Sequence, residues 1–239
     1  MFSKREFFKF TQSKSYVSGI DLVAHEENIL ITVNKSPFVT LRASRSDLRE
    51  LAIGHLLTCG VIKRYDDIKH IETADDYVVN VELKTKPSLQ EKSDFKYIDA
   101  NWAINVKIIF DGMRLLEDAP FYRKTGAFHG AILMHNSGHQ YFLLEDISRH
   151  NVVEKAIGKA LEKRVKMEEC LMLISGRLMC ELVSKILIAK IPILGSVSAT
   201  TCEAIEMAQK YGVTLIGFIR EGRMNVYTHP ARITDFFLG

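Results

Sequence analysis

Cysteine is scarce in these 239 residues: there are four, Cys59, Cys170, Cys180 and Cys202. They are scattered and form no CxxC pair and no disulfide-type spacing. A disulfide scaffold is therefore excluded, and a reducing cytoplasm is the expected location. Long apolar runs are missing too. None approaches the roughly 20 residues of a membrane span, and the stretch from Ile186 to Val197 is interrupted by Lys190 and Pro192. Met1 to Phe10 mixes charges among its phenylalanines and lacks the apolar core of a signal peptide. No Gly-x-x-x-x-Gly-Lys-Ser/Thr occurs, which removes a P-loop hydrolase. Charge of one sign is not in excess. The formal net charge is +3, and no basic run is interleaved with aromatics, so nucleic acid is not an expected partner.

What is present is a core-forming composition, 47% hydrophobic and 26% charged. It suits one large or two small globular domains. The spacing predicts a β-rich portion over 1–110 with one helix, then an α/β domain over 111–239, the two possibly continuous. Residues 1–14 read as a loose arm. Ile29–Val33 and Phe38–Arg42 read as a hairpin turning at Asn34-Lys35-Ser36-Pro37. Ser46 or Asp47 caps a helix with Leu48, Leu51, Ala52, His55, Leu56 and Cys59 on one face, ended by Gly60. Ile68–Thr73 and Tyr77–Leu83 form a second hairpin around Asp75-Asp76. Lys84–Lys96 is polar, contains Pro87 and reads as a boundary or loop. Asn101–Phe110 fits strand or helix equally. Asp111–Tyr122 reads as a short helix and turn, and Ile132–His135 as a strand.

From Tyr141 onward the pattern is strand, polar turn, helix, three times over. The strands are Tyr141–Leu144, Leu171–Ile174 and Ile191–Val197, and the helices start near Val152, after Arg177 and after Thr201. Val213–Ile219 is a further strand, turning at Arg220–Arg223 into Met224–Thr228. Such alternation predicts a parallel sheet with crossover helices. The strand-to-helix turns then share the carboxyl edge, where ligands bind. They carry Arg149, His150, Ser175, Arg177, Ser198 and Thr200, with Arg220 and Arg223 near. Helix N-termini beside hydroxyls and arginines suit an anion, most often phosphate. Taken singly, each turn reads sooner as an ordinary Ser or Thr cap with solvated arginines, and it is the set together that points to a phosphate-bearing ligand.

Several segments together are similar to the FdhD family: Thr125-Gly126-x-x-His129-x-Ala131, Glu145-Asp146-x-x-Arg149-His150-Asn151-x-x-x-Lys155, Ser175-Gly176-Arg177, Pro192-Ile193-Leu194 with Ser198-Ala199, and Gly217-Phe218-x-Arg220-x-Gly222-Arg223 through Pro230. Glu26-Glu27, Arg42-Ala43 and Glu50-Leu51-Ala52-x-Gly54 extend the resemblance through the N-terminal half. It implies a cytidine-deaminase-like α/β fold and a homodimer. It also implies an accessory role for molybdenum- or tungsten-dependent formate dehydrogenase, with sulfur taken from a cysteine desulfurase. The cofactor it implies is the molybdenum bis(molybdopterin guanine dinucleotide), or a GDP-like guanine nucleotide in its place. The matching contact segment is Phe218, Ile219, Arg220, Glu221, Gly222 and Arg223. On this reading Arg149, Arg177, Arg220 and Arg223 neutralise pyrophosphate, and Ser175, Gly176 and Ser198 complete the cradle. Asp146 pairs with Arg149 or meets guanine N–H groups. Phe218 packs on the base or in the core, His129 is either a polar ligand contact or a satisfied half-buried histidine, and His150 sits at a helix start. Lys155 reads as a solvated helix residue.

The family carries sulfur on a CxxC-type loop between the second hairpin and the Thr-Gly-x-x-His motif. Here that interval, Lys84–Lys124, holds no cysteine. A persulfide needs a thiolate. Cys202, at a helix N-terminus, is the remaining candidate, or else a small core residue. Cys59 ends a helix whose dipole disfavours a thiolate, and it reads as packing, as do Cys170 and Cys180. A zinc deaminase would need His-x-Glu and Pro-Cys-x-x-Cys. His129-Gly130-Ala131 puts Ala at the Glu position, so zinc is not expected. A non-catalytic chaperone of the guanine-dinucleotide cofactor is the alternative to sulfur transfer.

Overall fold

The structure is a computed structural model and describes residues 1–13, 16–75, 77–85 and 95–235. The N-terminus is not a loose arm. Strands β1 (Phe2–Phe10) and β2 (Tyr16–Ala24) pair antiparallel along their full length. Aromatic and β-branched residues favour this pairing. Phe2 anchors its base with ring centroids 5.6 Å from Phe121 and 5.8 Å from Phe128.

Strands β3 (Glu27–Val33) and β4 (Ser36–Ala43) form the first expected hairpin. Its turn is tighter than the sequence suggests. Asn34 and Lys35 both take positive φ, 50° and 67°, which matches the twist of paired strands, and Pro37 joins the strand. Helix α1 (Leu48–Thr58) follows. Asp47 stands at its cap but takes φ 50° and makes no side-chain capping bond. Strands β5 (Ile68–Asp75) and β6 (Val78–Leu83) complete a four-stranded sheet of order β4-β3-β6-β5. Most of the expected loop Lys84–Lys96 lies outside the described residues, as does Asp76 of the second turn.

The ambiguous stretch resolves both ways. Ile104–Asn105 is a two-residue strand, β7, and helix α2 runs over Val106–Glu117. Asn105 caps it, accepting from the Lys107 N–H at 2.8 Å. A six-residue helix, α3 (Pro120–Thr125), precedes strand β8 (His129–His135). Then come β9 (Gln140–Asp146), α4 (Arg149–Glu162), β10 (Cys170–Ile174), α5 (Cys180–Ala189), β11 (Ile193–Ser196), α6 (Cys202–Tyr211), β12 (Thr214–Arg220), β13 (Arg223–Val226) and β14 (Ile233–Thr234).

The main sheet has order β13-β12-β11-β10-β8-β9. Strands β10, β11 and β12 are parallel, as the alternation predicts. The sheet is nonetheless mixed, because β8 runs antiparallel to both β9 and β10, and β13 antiparallel to β12. Strand β9 therefore runs in the same direction as β10, and β8 begins where β9 to β12 end.

Successive side chains of a strand point to opposite faces, and β10 divides the core accordingly. Leu171 and Leu173 join Ile109, Met113 and Leu116 of α2. Cys170, Met172 and Ile174 join residues of α1, α4 and the four-stranded sheet in one continuous cluster. Helices α1 and α4 cross at two glycines. A Cβ on Gly54 would stand 1.8 Å from the Glu154 carbonyl oxygen, and one on Gly158 would stand 2.0 Å from that of Glu50. No helix among the described residues is long and apolar enough to cross a membrane.

Candidate functional site at the carboxyl edge of the sheet

The strand directions gather the predicted residues on one edge. His129 pairs with Asp146, Gly130 O accepts from Ser175 N at 3.0 Å, and Ser198 O accepts from Phe218 N at 3.1 Å. Arg149 opens α4 and His150 follows, under a cap from Ser148. One local expectation fails. Ser175-Gly176-Arg177 does not lead straight into a helix, because Leu178 bridges to Thr200 and α5 begins at Cys180. Helix α6 starts after Thr201 as expected, and Thr201 caps it, accepting from Ala204 N.

Arg149 is the distinctive group. Its Nε is buried and, among the described residues, is the one buried side-chain nitrogen or oxygen without a hydrogen-bond partner. Its Nη2 meets the Met179 sulfur at 3.6 Å, a weak acceptor, and no carboxylate pairs with it among the described residues. Gly176 makes room for it, since a Cβ there would lie 2.8 Å from Arg149 Cβ. An orphaned guanidinium at a helix N-terminus is a fitted donor for an anion. Arg177, exposed, stands near enough to act on His129.

The serines are engaged within the edge. Ser175 Oγ accepts from Gly130 N at 3.1 Å and lies 3.1 Å from His129 Nδ1. Ser198 Oγ donates to Ser175 O at 2.9 Å. They stitch neighbouring strand ends, so charge for a ligand comes from arginine. Burial, then the charges of Arg149 and Arg177, lower the pKa of His129. Burial, then Lys185 and Arg149, lower that of His150. Both imidazoles stay neutral near pH 7, which leaves the positive charge on the arginines.

The turn segment adds a strained aromatic. Phe218 has φ 53° inside β12, at a register shift between Gly217 and Arg220. Such a conformation is unfavourable for an aromatic residue and marks functional sites. Phe218 is half-buried, not core, and its ring has the Arg220 guanidinium 5.9 Å from its centroid. Ile219 is buried, and Glu221 and Gly222 form the turn with φ 52° and 73°. Arg223 is exposed and 3.6 Å from Glu221. A small pocket of about 80 Å³ opens here, lined by Tyr122, Phe128, Gly130, Ser175 and Val197 among others. The larger cleft, about 720 Å³, is lined by none of the edge residues.

Asp146 does not pair with Arg149, and its carboxylate is engaged within the fold. It is fully buried, with Lys155 Nζ at 2.6 Å, and accepts from Ser44 N, Ser44 Oγ, Ser148 N and Asn151 Nδ2. Lys155, expected in solvent, has 0% exposure. This pair fastens the start of α4 to the segment after β4. Glu145 caps α3, accepting from Phe121 N and Tyr122 N.

The cysteines separate clearly. Cys202 is exposed at the first residue of α6, not a core residue. Cys170 is buried, and burial with Glu169 and Glu168 pushes its thiol up to about 12. Cys180 is half-buried, and burial with Glu203, Glu181 and Glu206 raises its pKa. Cys59, expected to be plain packing, is half-buried with its sulfur 3.4 Å from His55 Nε2. Sequence reasoning missed that contact, although the i, i+4 spacing of His55 and Cys59 on one helix was available as a signal.

The comparisons with known proteins agree with this architecture. The model of the FdhD/NarQ family matches residues 24–100 and 88–234. A sulfur carrier protein FdhD from Sulfurisphaera tokodaii is 33% identical, over 89% of this chain and 92% of its own. One from Sulfolobus acidocaldarius is 35% identical over 90% and 92%. A crystal structure of a formate dehydrogenase accessory protein from Desulfotalea psychrophila superposes with a TM-score of 0.88 at 25% identity, covering 98% of this chain and 99% of the other. With matches of that extent at both levels, the chain belongs to the FdhD/NarQ family.

Proposed function

We propose that this protein is an accessory factor for formate dehydrogenase that binds the molybdenum bis(molybdopterin guanine dinucleotide), or a GDP-like nucleotide, at the carboxyl edge of its main sheet. Arg149 and Arg177 take the phosphates, Arg220 and Arg223 flank them, and Phe218 offers its ring to the base. When bound, the cofactor supplies the metal centre that receives sulfur. The observation that carries this reading is the buried, unpartnered Nε of Arg149. A buried donor without an acceptor is costly, and a phosphate oxygen would satisfy it. Participation in sulfuration, with a cysteine desulfurase as donor, is supported by the sulfur carrier relatives. A homodimer is supported by the exposed aromatic face of β1–β2, where Phe8, Phe10 and Tyr16 are more than half exposed.

The second reading is a cofactor chaperone that passes no sulfur, favoured by the absence of cysteine from Lys84–Lys124. The test of the shared site is GDP binding by calorimetry. Arg149→Ala should weaken affinity by about tenfold or more, the worth of one charge-assisted bond. An unchanged dissociation constant would remove the site.

A further inference from the structure

We infer that Cys59 is a reactive thiol, poised by His55 and Glu154, that accepts sulfane sulfur from a persulfide donor. This rests on the sulfur-carrier reading above and names a residue for it. Cys59 Sγ lies 3.4 Å from His55 Nε2. His55 Nδ1 lies 3.1 Å from both oxygens of Glu154. Thr58 Oγ1 at 2.8 Å and Lys185 Nζ at 2.6 Å fix that carboxylate from two further sides. A nucleophile, an imidazole and a carboxylate orienting that imidazole are the three parts of an activated-thiol array. The glycine crossing of Gly54 against Glu154 brings α1 and α4 close enough to assemble it.

Burial lowers the His55 pKa, but the hydrogen bonds to Cys59 and Glu154 and the Glu154 charge outweigh it and raise it to about 9. His55 is thus an imidazolium at neutral pH, with its Nε2 3.4 Å from the Cys59 sulfur. The other groups facing His55 are Glu154 from α4, with Lys185 of α5 behind it, and the Phe38 ring of β4. No other cysteine hydrogen-bonds to an imidazole among the described residues. Cys59 is half-buried, and its chain neighbours Thr58 and Gly60 line the cleft of about 720 Å³. Glu154 lies four residues after His150 on α4, so the array stands about one helical turn, ~6 Å of rise, from the arginine edge.

The step balances without an outside oxidant. The Cys59 thiolate attacks the terminal sulfur of a donor R–S–SH. The donor S–S bond breaks, a new S–S bond forms on Cys59, and R–S⁻ leaves. The Cys59 sulfur is oxidised as the donor's inner sulfur is reduced by the same amount. The proton that Cys59 lost to solvent is the one R–S⁻ takes up.

The test incubates the full-length protein with glutathione persulfide and maps added sulfur by peptide mass spectrometry. Iodoacetamide rates at all four cysteines are measured in parallel across pH, in the wild type and in Cys59→Ser, His55→Gln and Glu154→Gln. The expected result is added sulfur on Cys59, absent in Cys59→Ser. Cys59 alkylation near pH 7 should fall about tenfold or more in His55→Gln, with its pH profile moved to higher pH. Glu154→Gln should shift that profile the same way. Buried Cys170 reports folding, since it stays protected in any folded variant. Sulfur on Cys202 instead would overturn the assignment and leave the carrier reading standing. Sulfur on no cysteine would remove both. A Cys59 rate unchanged in folded His55→Gln would also overturn it.

Discussion

Lys155 Nζ and Asp146 Oδ2 lie 2.6 Å apart, and neither side chain has any exposure. Lys155 also reaches Ser44 Oγ at 2.9 Å and Glu145 O at 3.3 Å. The pair locks the first turn of α4, and so Arg149, to the segment after β4. Removing one partner leaves an uncompensated buried charge, which costs about 3–5 kcal/mol. Lys155→Met alone should lower the urea midpoint severely, and Asp146→Asn added to it should restore part of the loss. If the single variant unfolds at the wild-type midpoint, the pair is not structural.

The two kinds of glycine should respond differently to alanine. Gly54→Ala puts a methyl 1.8 Å from the Glu154 carbonyl oxygen. Helices α1 and α4 must separate, at a cost of about 3 kcal/mol or more, the upper range of overpacking. Gly222→Ala meets nothing within 4 Å but keeps φ 73°, a left-handed strain of about 1 kcal/mol. Thermal melts of both variants check the order, and equal losses would contradict it.

Stability should depend on pH through His55 and Glu154. The folded pKa of His55 is raised from 6.5 to about 9. Its contribution is therefore full below 6.5 and is lost as pH rises through about 9. Burial raises the Glu154 pKa, but the His55 hydrogen bond and the charges of Lys185 and His55 override it, lowering it from 4.5 to about 2. That contribution is present above 4.5 and lost as pH falls through about 2. The two groups share one interaction, so together they supply no more than about 3 kcal/mol. Denaturation followed from neutral to alkaline pH should show a decline that runs from about pH 6.5 and levels off at about 9, and that is absent in His55→Gln. A decline of the same size in that variant would assign it elsewhere.

Arg223 separates binding from folding. It is exposed and meets Glu221 at 3.6 Å, a surface contact worth little to stability. Arg223→Ala should leave the melting temperature unchanged and weaken guanine-nucleotide affinity by about tenfold if it reaches phosphate. An unchanged affinity, measured beside Arg149→Ala, would confine the site to Arg149 and Arg177.

The alternation of apolar runs and helical segments after Tyr141 was legible because strand and helix periods are local. Within that stretch it located the helices and the parallel strands β10 to β12 to within a few residues. The arginine edge followed from it, because strands running in one direction put their exits on one side. The ribbon of β1 and β2 was not legible, since its charges interrupt the apolar pattern and its anchor, Phe2 against Phe121 and Phe128, lies far along the chain.

Composition and periodicity alone determined the α/β class, the strand–helix order after Tyr141 and the arginine-lined edge, and the resemblance to the family is what made the absence of cysteine from Lys84–Lys124 meaningful. Tertiary structure decided which polar groups are spent on one another. Asp146 looked free for a ligand until Lys155 and Ser44 closed around it. Cys59 looked inert until α1 crossed α4 and brought His55 to Glu154, 99 residues away. Short-range patterns report which face of an element is buried. A charge or a thiol takes its role from its whole set of partners, and chain closure delivers those that no local window contains, Ser44 to Asp146 and Glu154 to His55.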